Sequence, residues 1–213
     1  MYKRQRLDRI YDLIIKSDHF ESHGITLHDY FEACKRQWES TPDIGLSSGQ
    51  DKFAVESKKI EMQTKKIEGF MVAGMSFRMK NDHEASGKFA AAWQTFMSRD
   101  LKAELKHIKG EEIYALYTNY ESDHQGPYDM ILGYKVDQLD DLPKEVVSHV
   151  IPTSEYCIST AKGDLTKGAL YEAWLRIWES KLPRKYTTDF ELHDQRTIDP
   201  TQGIVDIYVA VNL

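Results

Sequence analysis

The chain has 213 residues, a formal net charge of -6 and a pI near 5.8. That length can bury a core either as one large domain or as a domain of about 150 residues with an appendage. The acidic balance argues against a protein that grips nucleic acid through its whole surface, which needs clustered Lys and Arg, and it suits cationic ligands better. Two cysteines, Cys34 and Cys157, cannot build a disulfide framework, and no apolar stretch approaches the roughly 18 residues of a membrane span. The start, MYKRQRLDRIYD, has no apolar run followed by a cleavage site, so a cytoplasmic location is the expectation.

Residues 1 to 50 read as a helical extension. Leu7, Ile10, Tyr11, Ile14 and Ile15 recur at spacings of three and four, and Thr26-Leu27-His28-Asp29 can cap a second short helix. TPDIGLSSGQ, residues 41–50, collects Pro, Gly and Ser and marks a linker, which places the domain boundary at about 50. Residues 1 to 40 hold seven Lys plus Arg against seven Asp plus Glu. No convincing recognition helix follows the first two helices, so the segment reads as a docking or homodimer-forming extension, and direct DNA binding is not expected of this chain alone.

From Phe53 onward the pattern changes. KKIEMQTKKIEGF and MVAGMSF suit strands. In GKFAAAWQTFMSRDL, Phe89, Trp93, Phe96 and Met97 fall on one helical face. EIYALYTNYE and YDMILGYKV follow as strands joined through SDHQGP, whose Gly126 and Pro127 are turn residues. The same order of strand, helix, strand, strand then recurs: VVSHVIPTSEYCIST with a break at Pro152, the amphipathic KGALYEAWLRIWESKL, TTDFELHD and GIVDIYVAVNL. Ala92-Trp93 matches Ala173-Trp174 between the helices, and Tyr120-Glu121 matches Phe190-Glu191. The repeats span about 55–137 and 145–213 within a domain of 51–213, and the seam between two such units is a natural place for a pocket.

Taken in order, KFAAAWQTFM, YALYTNYESDHQGPYDMILGYKV, EAWLRIWESKLPRKYTTDFELHD and VDIYVAV resemble the gyrase-inhibitor-like effector-binding domain, in its integron-cassette-associated branch, over residues 55 to 213. The resemblance implies an α+β fold of duplicated βαββ units with pseudo-twofold symmetry. Such domains occur alone or as the sensory half of bacterial transcription regulators and bind lipophilic cations and other small molecules. It places Glu191, within DFELHD, at the base of the pocket, with Trp93, Tyr120, Trp178 and Tyr208 around it. The first 50 residues depart from the helix-turn-helix modules of such regulators, which puts a DNA-binding role in doubt.

Strand parity gives a separate argument. In TTDFELHD, alternation sets Asp189, Glu191 and His193 on one face and Phe190 and Leu192 on the other; in IVDIYVAV it sets Asp206, Tyr208 and Ala210 opposite Val205, Ile207 and Val209. If these strands pair, Glu191 and Tyr208 can share a face. Parity also groups Tyr114 with Tyr120 and sets Tyr117 apart, so Tyr114 joins the candidate lining, as does Phe89 beside Trp93. Trp174 ranks below Trp93 and Trp178, because its repeat partner already claims the equivalent position. A carboxylate among aromatic rings is costly to desolvate, and a bound cation offsets part of that cost by charge pairing and cation-π contact.

The bland alternatives account for the remaining motifs. Helical tryptophans are first of all core residues. His19, His23 and His28 match no zinc spacing, and no cofactor or metal is expected. Cys157 reads as a buried structural thiol, and Glu121, Asp123 and His124 as solvated turn chemistry. There is no P-loop, GxGxxG or GxSxG. The expected function is a non-enzymatic sensor or sequestering domain for a small lipophilic cation. The rivals are a hydrolase of reactive small molecules that uses the pocket glutamate, and a protein-interaction module of the gyrase-inhibitor type.

Overall fold

The alternating and helical stretches condense into one antiparallel sheet with helices packed on it. The computed structural model describes residues 63–82 and 85–212. The expected helical extension over 1–50, its linker at 41–50, its dimer-forming role and its histidines lie outside the described residues. The order is β1 (Gln63–Ile67), β2 (Phe70–Met79), α1 (Ala85–Met97), α2 (Leu101–Glu104), β3 (Ile108–Thr118), β4 (Tyr128–Val136), β5 (Val147–Ile151), β6 (Ser154–Gly163), α3 (Ala169–Glu179), β7 (Thr188–His193) and β8 (Gly203–Ala210). Single 3-10 turns at Leu165–Lys167, Gln195–Thr197 and Pro200–Gln202 sit between them. Pro152 falls in the break between β5 and β6, where its missing N–H costs the ladder nothing. Among the described residues no helix is long and apolar enough to cross a membrane.

The eight strands run in the order β1-β6-β8-β7-β3-β4-β2-β5. Exchanging β1 with β5, β2 with β6, β3 with β7 and β4 with β8 turns this order onto its own reverse. That is the signature of two repeated units joined at the β3–β7 seam. Each unit is a strand, a helix and two strands, as the sequence pattern requires, and each also has a leading edge strand that pairs with the first strand of the other unit: β1 with β6, and β5 with β2. Within the first unit Gly74 and Gly133 lie opposite each other on β2 and β4. A Cβ on Gly74 would collide with the Leu132 carbonyl, and one on Gly133 with that of Ala73. Only glycine permits this approach.

The two faces of the sheet hold different cores. On one, α1 contributes Ala92, Trp93 and Phe96 and α3 contributes Leu170, Ala173, Trp174 and Ile177, over Ala115, Tyr117, Val205, Ile207 and Val209. These helical residues recur at three and four, so each helix buries one stripe. Met97, expected on the apolar face of α1, is 39% exposed, because it is the helix's last residue and points off the sheet. Gly168 in the left-handed conformation (φ 94°) opens α3, and Ser180 closes it with its N–H on the Arg176 and Ile177 carbonyls. The opposite face carries Val72, Leu116, Ile131, Ile151, Tyr156 and Phe190, with Phe70, Tyr114 and Tyr208 packed against them.

Candidate functional site

The seam strand β7 carries its polar residues on the helix-covered face, the reverse of an ordinary half-buried strand. Its register against β3 sets Ala115 opposite Glu191, Ile113 opposite His193 and Tyr117 opposite Asp189. Directly opposed residues of an antiparallel pair share a face, so Asp189, Glu191 and His193 point together under the helices. All three are buried.

Glu191 is 2% exposed. Its Oε1 accepts from the Tyr117 hydroxyl at 2.9 Å and from the Trp174 indole N–H at 2.6 Å. Its Oε2 lies 2.8 Å from His193 Nε2. The Trp93 ring meets the His193 ring edge-on at 5.1 Å, and Trp174 meets Tyr117 likewise at 5.3 Å. Among the described residues no Lys or Arg forms an ion pair with Glu191; the partner able to carry a positive charge is His193.

Asp189, two residues earlier and 0% exposed, is compensated. Its Oδ2 accepts from Arg184 Nη2 at 2.5 Å and from the Tyr120 hydroxyl at 3.0 Å, and its Oδ1 accepts from the Ala210 N–H at 2.8 Å. The Arg184 guanidinium lies 4.3 Å over the Tyr186 ring. Burial pushes the Asp189 carboxyl up, and the charge of Arg184 with these donors works against it. Burial pulls Arg184 down, yet Asp189 holds it above its ordinary value. The two tendencies conflict. The short contact and the donors converging on the carboxylate favour both groups being charged near neutrality.

An aromatic wall extends from this pair of acids. Tyr128 packs on Tyr117 at 6.0 Å and on Tyr120 at 5.4 Å. Burial first, then the charge of Glu191, raises the Tyr128 phenol; burial first, then Asp189, raises Tyr120 well above its usual value. On α3, Trp174 leads to Trp178 at 6.1 Å, and Trp178 stacks on His124 of the β3–β4 connection at 5.2 Å and 12°.

The structure sorts the residues singled out from sequence. Glu191, Trp93, Trp178 and Phe89 all belong to or pack on the helix-side core. Tyr120 is there too, although its hydroxyl serves Asp189. Tyr208 is not. The register sets it opposite Phe190, with Glu191 opposite Ile207, and its ring stacks on Phe190 at 4.4 Å on the other face. A shift of one residue in pairing flips a whole strand, and here the aliphatic set Val205, Ile207 and Val209 takes the face under the helices. That set was the available signal. Tyr114 likewise faces away, opposite Leu192 and packed on Phe70 at 5.3 Å and Phe190, with burial pushing its phenol up to about 12. The parity that joined Tyr114 to Tyr120 fails at Asn119, whose φ of 50° ends the strand and turns Tyr120 to the opposite side.

Tyr117, which parity sets apart from Tyr114 and Tyr120, and Trp174, which ranks below Trp93 and Trp178 in the sequence reading, both donate to the Glu191 carboxylate. The repeat pointed to Trp174, since partners related by an axis through a seam both face that seam; Trp93 meets His193 while Trp174 meets Glu191. Cys157 is a buried free thiol pushed up by burial. His124 stacks on Trp178 and so is more than turn chemistry. Glu121, on the same connection, pairs with Arg78 at the surface. Among the described residues no His, Cys, Asp and Glu group could hold a metal ion.

Comparison with known proteins matches this architecture. Residues 63–211 fit the family model described as integron-associated effector binding protein. YobU of Bacillus subtilis, named as a candidate transcriptional regulator, is 32% identical over 144 residues, covering 65% of this chain and 90% of that protein. The transcriptional regulator BrlR of Pseudomonas aeruginosa is 26% identical over 150 residues, 67% of this chain, which spans 52% of BrlR. Among solved structures, the integron cassette protein VCH_CASS2 from the mobile metagenome of Vibrio cholerae superposes with a TM-score of 0.56 at 27% identity, over 71% of this chain and 95% of that one. SAV2435, solved bound to tetraphenylphosphonium, gives 0.57 at 20% identity over 72% and 94%, a likeness of fold. With its duplicated sheet and a match across most of its length, the chain belongs to the integron-associated effector binding protein family.

Proposed function

We propose that the seam between α1 and α3 binds a lipophilic aromatic cation with Glu191 as its counter-charge, and that the chain serves as a cytoplasmic sensor or sequestering domain linked to transcription regulation, without turnover of what it binds. The observation that carries this is the unequal treatment of two buried acids. Asp189 has an arginine, whereas Glu191 is held by a phenol, an indole and a titratable imidazole. Neutral donors soften the cost of burying a carboxylate but leave its charge in place. Tryptophan and tyrosine faces nearby add attraction for a cation, most strongly for a delocalised one that sheds water easily. SAV2435 binding tetraphenylphosphonium, and the regulator names of YobU and BrlR, agree with this reading.

The test uses ligands of one shape and three charges: tetraphenylphosphonium, neutral triphenylphosphine oxide and tetraphenylborate. A cation at a hundred times its Kd stabilises the fold by about 2.7 kcal/mol, a shift that thermal denaturation resolves. Stabilisation by the cation and none by the borate is the expected order. Equal shifts for all three would refute a charge-selective pocket, and chemical change of the recovered ligand would replace binding with catalysis.

A further inference from the structure

The imidazole beside Glu191 leads to a consequence for ligand choice. We propose that His193 is the resident counter-cation of Glu191 in the unliganded protein and that a cationic ligand binds by displacing its proton, so that the site discriminates by proton exchange. This rests on the reading of the seam as a cation pocket.

The geometry supplies each step. Glu191 Oε1 is filled by Tyr117 and Trp174, both neutral donors, and Oε2 faces His193 Nε2 at 2.8 Å. Imidazole can carry its charge within the range of cellular pH. Protonated His193 donates to Oε2, and the pair is neutral overall; neutral His193 leaves the pair with a charge of minus one. A monocation then restores neutrality in its place. The balance is one ligand cation in and one proton out to solvent, with no bond to carbon made or broken. The proton belongs to the coupled pair, and the edge of Trp93 closes the far side of the imidazole at 5.1 Å.

The groups around the pair do not substitute for this exchange. From β3 come Tyr117 and, across from His193, Ile113. From β4 comes Tyr128, whose phenol burial and the Glu191 charge hold protonated. Past the end of β7, Asp194 is held low first by its hydrogen bonds with Arg196 and also by His193. Arg196 in turn bridges Asp194 and Asp206. Arg184 is engaged by Asp189.

Calorimetry of the full chain with tetraphenylphosphonium, in paired buffers of low and high protonation enthalpy, counts the protons. The expected result is release of up to one proton per bound cation on the acid side, declining toward zero as pH rises, with affinity weakening as pH falls. His193→Gln should abolish both the release and the slope. Should that variant fail to fold, histidine side-chain NMR of the wild-type chain on the acid side of the same range reads the same event, as the His193 ring moving to its neutral shifts on ligand addition. Binding without proton release at any pH overturns the exchange and leaves the cation pocket standing, as does release that persists in His193→Gln. No binding of tetraphenylphosphonium across the range overturns both.

Discussion

Replacing Glu191 with Gln isolates charge from shape. The amide keeps an oxygen for the Tyr117 hydroxyl and the Trp174 indole, now at 2.9 and 2.6 Å from Oε1, and presents N–H groups toward His193 Nε2, which the neutral imidazole can accept. The fold should therefore hold, with stability within about 1 kcal/mol of wild type, since the lost charge-assisted bonds are offset by a smaller desolvation cost. Ligand binding loses the Coulomb term. In tetraphenylphosphonium the rings keep phosphorus about 6 Å from any carboxylate, and at an effective dielectric of about 20 a charge pair at that distance is worth about 2.8 kcal/mol, roughly a hundredfold in Kd. Triphenylphosphine oxide should change less than about threefold. Calorimetry with both compounds makes the comparison. Equal losses for cation and neutral ligand would show that the substitution acts through packing, and no loss for either would show that the cation binds elsewhere.

Other consequences follow from the same contacts. Trp174→Phe removes the 2.6 Å donor to a buried carboxylate and should cost about 1.5 to 3 kcal/mol in chemical denaturation; Trp178→Phe, with no such bond to Glu191, should cost less, and a reversed order would refute the assignment. Tyr208→Phe, on the far face of the sheet, should leave tetraphenylphosphonium affinity within about twofold, and a tenfold loss would put the site on that face. Gly74→Ala should destabilise by about 1 to 3 kcal/mol by forcing β2 away from β4, measured as a lower denaturation midpoint. His149, half-buried beside Thr188 at 2.9 Å, is lowered by burial from its ordinary 6.5. A depressed imidazole contributes stability that is fully present above about pH 6.5 and lost as pH falls through the folded value. The wild-type Tm should therefore drop on that side, and His149→Gln should flatten the drop without altering proton release on ligand binding.

Much of the frame was legible because it depends on local pattern. The period-two runs and the turn residues at Gly126, Pro127 and Pro152 mark the strands and their breaks, and the three-and-four stripes of α1 and α3 mark the helices. Their recurrence in the same order gives the duplicated sheet. Alternation also grouped Asp189, Glu191 and His193, because parity along one strand is a property of the chain alone. Parity between strands is not. Which residues of β8 share the face of Glu191 depends on a pairing register set by turns, helix packing and the other strands, and a slip of one exchanged Tyr208 for Ile207. Tyr120 escaped the pattern for a different reason, a left-handed residue at Asn119 that no propensity fixes with certainty. The edge strands that cross between the units, β1 onto β6 and β5 onto β2, are likewise tertiary facts.

The proposed selectivity depends on the asymmetry between Asp189 and Glu191. An acid as fully compensated as Asp189, with Arg184, Tyr120 and the Ala210 N–H, has no unmet charge to offer; a cation arriving there would face the repulsion of the guanidinium. An acid with no donors would resolve its burial by taking up a proton and would then be blind to charge. Glu191 lies between these limits. Tyr117 and Trp174 donate to it without carrying charge, and in the exchange proposed above the imidazole of His193 at 2.8 Å holds the proton that a cation would replace. Two residues before Glu191 on the same strand, Asp189 accepts from the Ala210 N–H and the Tyr120 hydroxyl and so ties β7 to the end of β8 and to the β3–β4 connection beside the neighbouring carboxylate. On the proposed reading such a site disfavours anions by Coulomb repulsion and prefers a cation to a neutral molecule of the same shape, because only the cation can replace the histidine's charge. The rings of Trp93, Tyr117, Tyr128 and Trp174 around the Glu191–His193 pair would leave the remaining preference of such a site to apolar area rather than to any single hydrogen-bonded shape.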